Sequence, residues 1–327
     1  MVVVMKKAEK KRKRYWLGVG VVLLLNLLLA VISSQAEEKL DPAGLGVWLG
    51  RQAKLVWIQD QAKGNDVFGR SRNLMLYGYD TADAKGERPL LAEKGNFFKP
   101  LLSPDGSKVV VSDRLARKIY LIDWQTGKKS SLGSGVAVTV WQDSKPSFFL
   151  RKKITWIYCF SGLERENKYG TAQSLYRFPL DNPGKRELIW DSTDMAWSNI
   201  QISRDGSVLG GLFPWPHGGV LDLKTKKWQR LGRGCWTSLS PDNSKLLWIF
   251  DGLHRNVQIH DLKNGSTWKV NINSEPRMGG FEVYHPRWSN HPNYFVLTGP
   301  YEKGEGGNRI GGGGEAVEIS KATGREA

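Results

Sequence analysis

Short apolar runs separated by turn-forming clusters recur along this chain from Leu55 onward. The clearest set occupies residues 235–270, CWTSLSPDNSKLLWIFDGLHRNVQIHDLKNGSTWKV. Apolar runs at 236–239, 245–250, 256–262 and 267–270 predict four short strands. The first turn is Ser240-Pro241-Asp242-Asn243. Proline presets a turn φ, and Asp and Asn tolerate the left-handed region and bond their own backbone. A loop over 251–255 and a Lys263-Asn264-Gly265 turn separate the remaining runs. Strands this short cannot bury their faces alone, so the unit is predicted to be one of several.

The repeats are present. Ser103-Pro104-Asp105-Gly106 opens into KVVVSD and KIYLIDWQTGK, and Ser203-Arg204-Asp205-Gly206 opens into SVLGGLFPWPHGGVLDLKTKK. The turns at Ser203 and Ser240 are 37 residues apart, close to the ~40–45 of a four-stranded propeller blade. Ser103 and Ser203 are 100 apart, room for two blades with an insertion. The turn between them is degraded to Trp141-Gln142-Asp143-Ser144-Lys145, and Trp288-Ser289-Asn290-His291-Pro292-Asn293 marks another. The fold expected over 46–327 is therefore all-β, a six-bladed β-propeller. The first blade holds strands at 55–60 and 74–79, and the others span about 97–132, 136–190, 197–231, 235–270 and from 282 onward. The last shows no obvious fourth strand. Because an open blade leaves an unpaired edge, Gly46-Val47-Trp48-Leu49 is the candidate to complete it.

The first 45 residues read differently. Residues 1–14 form a basic tail with KKAEKKRKR, and 16–32 carry no charge and only Asn26 as a polar residue. That apolar run is 17 residues long; a bilayer span needs roughly 20, with about 17 as a minimum, and a signal-peptide core has ~7–15. Residues 15–33 are thus expected to be a transmembrane signal-anchor helix, with cleavage after Ser34-Gln35-Ala36 as the alternative, and 34–45 a polar linker. Both readings keep the basic tail in the cytoplasm and place the propeller on the extracytoplasmic, periplasmic side of a membrane. Seven Lys/Arg and one Glu precede Tyr15, which leaves +10 of the net +16 for the rest, interspersed with acidic residues. With no basic helix and no nucleic-acid motif, no nucleic-acid partner is expected. Two cysteines give no disulfide framework, while 14 Trp and 37 Gly suit an all-β protein rich in turns.

The Ser-Pro-Asp-Gly turns, each followed by a β-branched run and a strand ending in Asp, resemble the TolB-like family of bacterial envelope propellers. The matching pieces are SPDGSKVVVSD with KIYLIDWQTGK, and SPDNSKLLWIFD with VQIHDLKNG. The resemblance implies a propeller and an exported location. It does not choose a function, because family members include translocation accessories, peptidase-associated domains and polysaccharide lyases. The segments FPWPHGG, FDGLHRN, YHPRWSNHP and GNRIGGGG set this chain apart as a distinct subfamily.

In a four-stranded blade the innermost strand comes first, so the Ser-Pro-Asp-Gly turns lie on one face. Turns between the second and third strands, and the entries to the innermost strands, lie on the other. This predicts one mouth lined by Asp113 and Arg114 and by a ligand-binding set of Trp215, His217, His254, Arg255, Asn256, Tyr284, His285, Arg287, Asn308 and Arg309. Loops on a rigid scaffold are the usual place for such a site. Guanidinium forks beside Trp and Tyr faces suit an acidic glycan or a peptide carboxylate. His254 and His285 are the candidate ligands of a Mn or Zn ion, the only cofactor suggested. His260, within a strand, is expected to be structural, and His291 to lie on the far face. No G-x-S-x-G, H-E-x-x-H or C-x-x-C occurs, and GEGGNRIGGGG lacks the Lys-Ser/Thr of a phosphate loop. The expected function is a non-catalytic, membrane-tethered binding module for an envelope protein or an acidic ligand. The alternative is a metal-dependent, lyase-like enzyme on anionic polysaccharide, as the oligogalacturonate lyases of similar propellers imply.

Overall fold

The computed structural model describes residues 46–47, 49–62, 70–83, 85–147, 151–161, 171–197, 200–272, 282–301 and 314–318. The basic tail, the expected transmembrane helix and the linker lie outside the described residues. Within them, no helix is long and apolar enough to cross a membrane.

The strands follow the sequence runs closely. The first sheet is β1 (Lys54–Asp60), β2 (Leu74–Asp80) and β3 (Arg88–Pro89). The second is β4 (Phe97–Leu102), β5 (Lys108–Asp113), β6 (Lys118–Asp123) and β7 (Lys129–Ser134). β8 (Val136–Gln142) and β9 (Thr155–Phe160) start the third. A short β10 (Thr171–Ala172) follows, and then β11 (Leu175–Pro179) and β12 (Glu187–Trp190) complete that sheet. β10 pairs instead with β13 (Met195–Ala196), so the polar insertion of the third blade is tied to the entry of the fourth. The fourth sheet is β14 (Gln201–Ile202), β15 (Val208–Leu212), β16 (His217–Asp222) and β17 (Trp228–Arg233). The fifth is β18 (Trp236–Leu239), β19 (Leu246–Phe250), β20 (Asn256–Asp261) and β21 (Thr267–Asn271). The last is β22 (Glu282–Trp288), β23 (Tyr294–Tyr301) and β24 (Gly314–Glu318).

Each sheet is an antiparallel meander whose first strand packs on the first strand of the next, β4 on β8, β8 on β14, β18 on β22. That radial succession is a β-propeller. The expectation of a six-bladed ring is corrected to a β-propeller without six full blades: among the described residues four sheets have four strands, and the first and last have three each. Gly46, Val47 and Leu49 do not supply the missing outer strand. They form a helical turn, closed by Gly50 N–H to Val47 O at 3.2 Å and Arg51 N–H to Gly46 O at 3.2 Å, with Val47 exposed. Gly46 packs by Thr81 of the first sheet, and so this turn caps that sheet.

The core lies between neighbouring sheets, because each sheet buries both faces. Val109 and Val111 of β5 face the first sheet with Leu76, Phe97 and Trp124, whereas Val110 faces the third with Ile157, Cys159 and Phe178. This is the period-two alternation of a strand covered on both sides. The largest cluster joins the third and fourth sheets through Trp156, Tyr158, Phe160, Trp190, Trp197 and Phe213. Hydrogen bonds also bridge neighbouring sheets: Ala137 N–H of β8 to Ser112 Oγ of β5 at 2.8 Å and, between inner strands, Leu239 N–H to Gln201 Oε1 at 2.7 Å and Trp288 N–H to Ser238 Oγ at 2.9 Å.

The repeated turn has a local physical cause. Ser103 Oγ donates to Asp105 Oδ1 at 2.5 Å and accepts from Lys108 N–H at 2.9 Å. The same pair recurs at Ser203, with Asp205 at 2.6 Å and Val208 N–H at 3.0 Å. Gly106 and Gly206 take φ of +67° and +74°, where a Cβ would be strained. Neighbouring sheets lock onto these turns: Lys54 Nζ donates to Gly106 O at 3.1 Å, Trp141 Nε1 to Ser203 O at 3.0 Å, and Lys245 pairs with Asp205 at 3.1 Å.

These bonds make a pH prediction. Burial alone would raise Asp205, but hydrogen bonds from Ser203, Ser207 and Lys245 outweigh it and hold its carboxyl far below the usual range. Asp105 is lowered too, first by Ser103 and then by Ser107. A depressed folded pKa contributes stability that is present above the unfolded value of about 3.9 and is lost as pH falls through the folded one. The melting temperature of the wild type is therefore expected to fall as pH drops below 4. Asp205→Asn should lower it at neutral pH and flatten that acid decline. An unchanged acid decline in Asp205→Asn would remove this turn from the list of acid-sensitive elements.

Candidate functional site

At the end of the ring opposite the Ser-Pro-Asp-Gly turns, Trp236 opens β18 and is buried. Four rings pack on it. His254 lies 5.2 Å away between centroids, His285 5.3 Å, Tyr284 5.8 Å and Phe250 5.9 Å. His254 and Tyr284 meet edge to face at 4.6 Å. Two imidazoles from different sheets thus share one indole, as the sequence reading requires if both belong to one mouth.

Asp251 builds the loop that delivers His254. Its carbonyl accepts His254 N–H at 3.2 Å, Oδ1 accepts Arg255 N–H at 2.9 Å, and Oδ2 accepts the Asn256 side-chain amide at 2.5 Å. The Asn256 amide is therefore committed to holding the loop. Arg255 and Leu253 point outward, with Leu253 72% exposed. His285 is delivered by a bulge: β22 and β23 change register between Tyr284 and Arg287, around Pro286, which has no N–H for the ladder. Both histidines sit in the left-handed region, at φ of +57° and +51°.

The other candidates fall in different places. His217 opens β16 and pairs with Arg233 of the outermost strand β17, away from the inner strands. Burial, then the charges of Arg230 and Arg233, lower its pKa. The loop carrying Trp215 reaches the site from the side, because Pro216 O accepts the N–H of Gly234 at 2.9 Å, two residues ahead of Trp236. Arg287 lies deep inside, and burial alone lowers its pKa to about 10. Arg255 is on the rim, so the two arginines stand at different depths. Asn308 and Arg309 lie outside the described residues. Asp113 Oδ1 accepts Ala116 N–H at 2.8 Å, which folds the turn at that end of β5. His260 is buried in β20, where burial lowers its pKa, and His291 accepts Asn293 N–H on Nδ1 at 3.2 Å in the β22–β23 turn. Burial first, and then the charge of Arg51, lower the pKa of His291.

For a metal, His254 and His285 offer two nitrogen donors, whereas a zinc site usually takes three or four protein ligands. Among the described residues, no group of three His, Cys, Asp or Glu gathers in a way that could hold an ion.

One cation was missed by the sequence reading. Lys99, in β4, donates from Nζ to Trp197 O at 3.3 Å. Trp197 precedes the fourth sheet, so Lys99 ties the second sheet to the entry of the fourth. Arg114 adds a guanidinium over the Phe98 ring at 5.1 Å and over Trp197 at 5.8 Å. The signal was Lys99-Pro100 inside the apolar run FFKPLL, a charge and a ladder-breaking proline in an innermost strand.

Comparison with known proteins gives the chain no family. No protein-family profile matches it. No curated protein matches it either. Among solved structures, the chain is similar to hydrazine synthase of Kuenenia stuttgartiensis, at 16% identity and a TM-score of 0.40, over 61% of this chain and 54% of that one. The match spans about half of that protein.

Proposed function

We propose that this protein is an exported, membrane-tethered propeller of the TolB-like type that binds an acidic glycan or peptide at one mouth of its ring and does not transform it. The observation that carries the reading is the convergence of His254, Tyr284 and His285 on Trp236, at the end of the ring where Arg255 lies exposed on the His254 loop. Aromatic faces and imidazoles offer stacking and hydrogen bonds, and the guanidinium favours an anionic ligand. The propeller fold supports a binding module without selecting a ligand. The apolar run at 16–32 beside the basic tail supports the tether and its orientation.

The full chain, titrated with polygalacturonate and with an acidic peptide, should bind at least one and leave its chain length unchanged. The metal-dependent lyase reading keeps support from the two histidines on one indole. Stoichiometric Mn or Zn, lost together with polymer cleavage in a His254→Ala, His285→Ala double variant, would establish that reading instead. A reporter fused at the C-terminus should be active only in the exported compartment, and activity of a cytoplasm-only reporter there would refute the orientation.

A further inference from the structure

The hairpins that lead into the outermost strands β3, β7, β12, β17 and β21 gather on one face of the ring. Each is hydrogen-bonded to the segment that opens the strand nearer the axis. Thr81 N–H donates to Ala53 O at 3.0 Å, Trp124 N–H to Ser107 O at 3.0 Å, and Leu180 N–H to Thr155 O at 2.8 Å. Leu223 N–H donates to Ser207 O at 2.9 Å and Leu262 N–H to Lys245 O at 3.1 Å. Ser107 and Ser207 belong to the Ser-Pro-Asp-Gly turns, so these hairpins lie at the end of the ring opposite Trp236.

The hairpins carry surplus positive charge for a local reason. The strand-ending aspartates turn their carboxylates onto backbone N–H groups. Asp80 accepts from Ala82 at 2.9 Å, Asp123 from Gln125 at 3.1 Å, Asp222 from Lys224 at 2.9 Å and Asp261 from Lys263 at 2.9 Å. In the first two sheets a strand-opening lysine already pairs with the aspartate, Lys54 with Asp80 at 3.3 Å and Lys108 with Asp123 at 2.5 Å. The lysines of the hairpins themselves lie outside these contacts. Lys85, Lys128, Lys185, Lys224, Lys227 and Lys263 are all exposed, at least one on every hairpin. Among the described residues of the hairpins, only Glu87 and Asp181 are exposed carboxylates, and Asp181 pairs with Lys152 at 2.6 Å.

The chain enters the ring on this same face. Gly46 packs by Thr81, and Thr81 Oγ1 accepts the N–H of Ala53 at 2.9 Å, so the start of the described chain is fastened to the first hairpin. Residues 34–45 join it to the apolar run at 16–32, and fully extended they reach at most about 40 Å. A tether of that reach keeps the face it leaves from nearest the bilayer. We propose that the basic hairpin face docks the propeller on an anionic lipid bilayer and turns the Trp236 mouth away from it. The direction of the mouth rests on the membrane-tether reading, whereas the charge recognition does not. Nucleic acid is the other polyanion that lysines attract, and the entry of the tether on the same face favours lipid.

The full chain is reconstituted in phosphatidylcholine vesicles with and without phosphatidylglycerol. A donor dye sits on Gln125→Cys, in a hairpin, or on Leu115→Cys, exposed at the other end of the second sheet, and an acceptor dye marks the lipid headgroups. The unsubstituted chain corrects for dye on Cys235. With phosphatidylglycerol, energy transfer should be high from Gln125→Cys and low from Leu115→Cys. The Gln125→Cys signal should drop without phosphatidylglycerol and at high salt. Combining Lys128→Gln, Lys224→Gln and Lys227→Gln should lower the docked-to-undocked ratio about 100-fold, roughly fivefold for each lysine lost near a charged lipid surface. Combining Arg72→Gln, Lys118→Gln and Arg233→Gln removes as much exposed charge from the other end of the sheets and should change the ratio little. Unchanged melting temperatures of both triple variants would show that the loss is not misfolding. Transfer that is higher from Leu115→Cys, that ignores phosphatidylglycerol, or that falls equally in both triple variants overturns the docking face. Double-stranded DNA that displaces the hairpin dye from vesicles at equal phosphate concentration overturns the choice of lipid. A chain that salt strips from phosphatidylcholine vesicles yet docks hairpin-first on phosphatidylglycerol removes the tether and leaves the lipid surface. A chain that stays in both kinds of vesicle without docking removes the lipid surface and leaves the tether.

Discussion

Replacing Trp236 by alanine is expected to destabilise the protein by about 3–5 kcal/mol, the usual cost of removing a buried aromatic side chain. Trp236 is the contact shared by rings of the fifth and last sheets, Phe250 and His254 on one side and Tyr284 and His285 on the other. Its loss opens a cavity at the seam where two sheets meet, and the surrounding rings cannot collapse to fill it without moving the bulge at Pro286. Trp236→Phe keeps an aromatic face but leaves a smaller void and should cost less, about 1–2 kcal/mol. The two variants separate stability from function. Urea denaturation measures the first. Ligand binding by Trp236→Phe at a temperature where it is fully folded measures the second. If Trp236→Ala melts within a degree of wild type, the seam is not held by this ring, and the packed cluster is not what positions the histidines.

What the sequence made legible was set by local chemistry. A serine that accepts from a backbone N–H five residues on, an aspartate that fixes it, and a left-handed glycine announce Ser103 and Ser203 without any tertiary information. The strand-ending aspartates are equally local: Asp123, Asp222 and Asp261 each accept backbone N–H groups of the hairpin that follows. The face occupied by His254 and His285 could also be inferred, because strand order alone assigns turns to one end of a propeller. Depth could not. Arg255 and Arg287 looked equivalent in sequence, but one sits on a loop tip built by Asp251 and the other within an inner strand past a bulge. The radial position of His217 was not legible for a related reason. The residue begins a third strand, and only the pairing with Arg233 shows how far from the axis that strand lies. Lys99 was passed over because a lysine in a strand reads as a solvated face, and the register shift around Pro100 redirects it inward.

Gly234→Ala is expected to lower stability by about 3 kcal/mol, at the upper end of what overpacking a filled site costs, and to weaken ligand binding as well. A Cβ at Gly234 would stand 2.2 Å from Phe250 O and 2.5 Å from Ile249 Cγ2. The carbonyl cannot simply step aside, since Phe250 O accepts the N–H of Cys235 at 2.8 Å and so anchors the start of β18 on the end of β19. The neighbouring chain is constrained from the other side, because Gly234 N–H donates to Pro216 O. Relief therefore requires either the Trp215 loop or the Trp236 strand to move, and both border the candidate site. Gly252 provides the comparison. It lies in the loop that carries His254, yet a Cβ there meets nothing within 4 Å, so Gly252→Ala should change stability by no more than about 0.5 kcal/mol and leave binding intact. Denaturation midpoints and calorimetric titrations of the two variants test the pair. A Gly234→Ala protein as stable as Gly252→Ala would mean that the β18 entry yields easily. A destabilised Gly234→Ala that binds acidic ligand as tightly as wild type would instead place the binding surface away from Trp236.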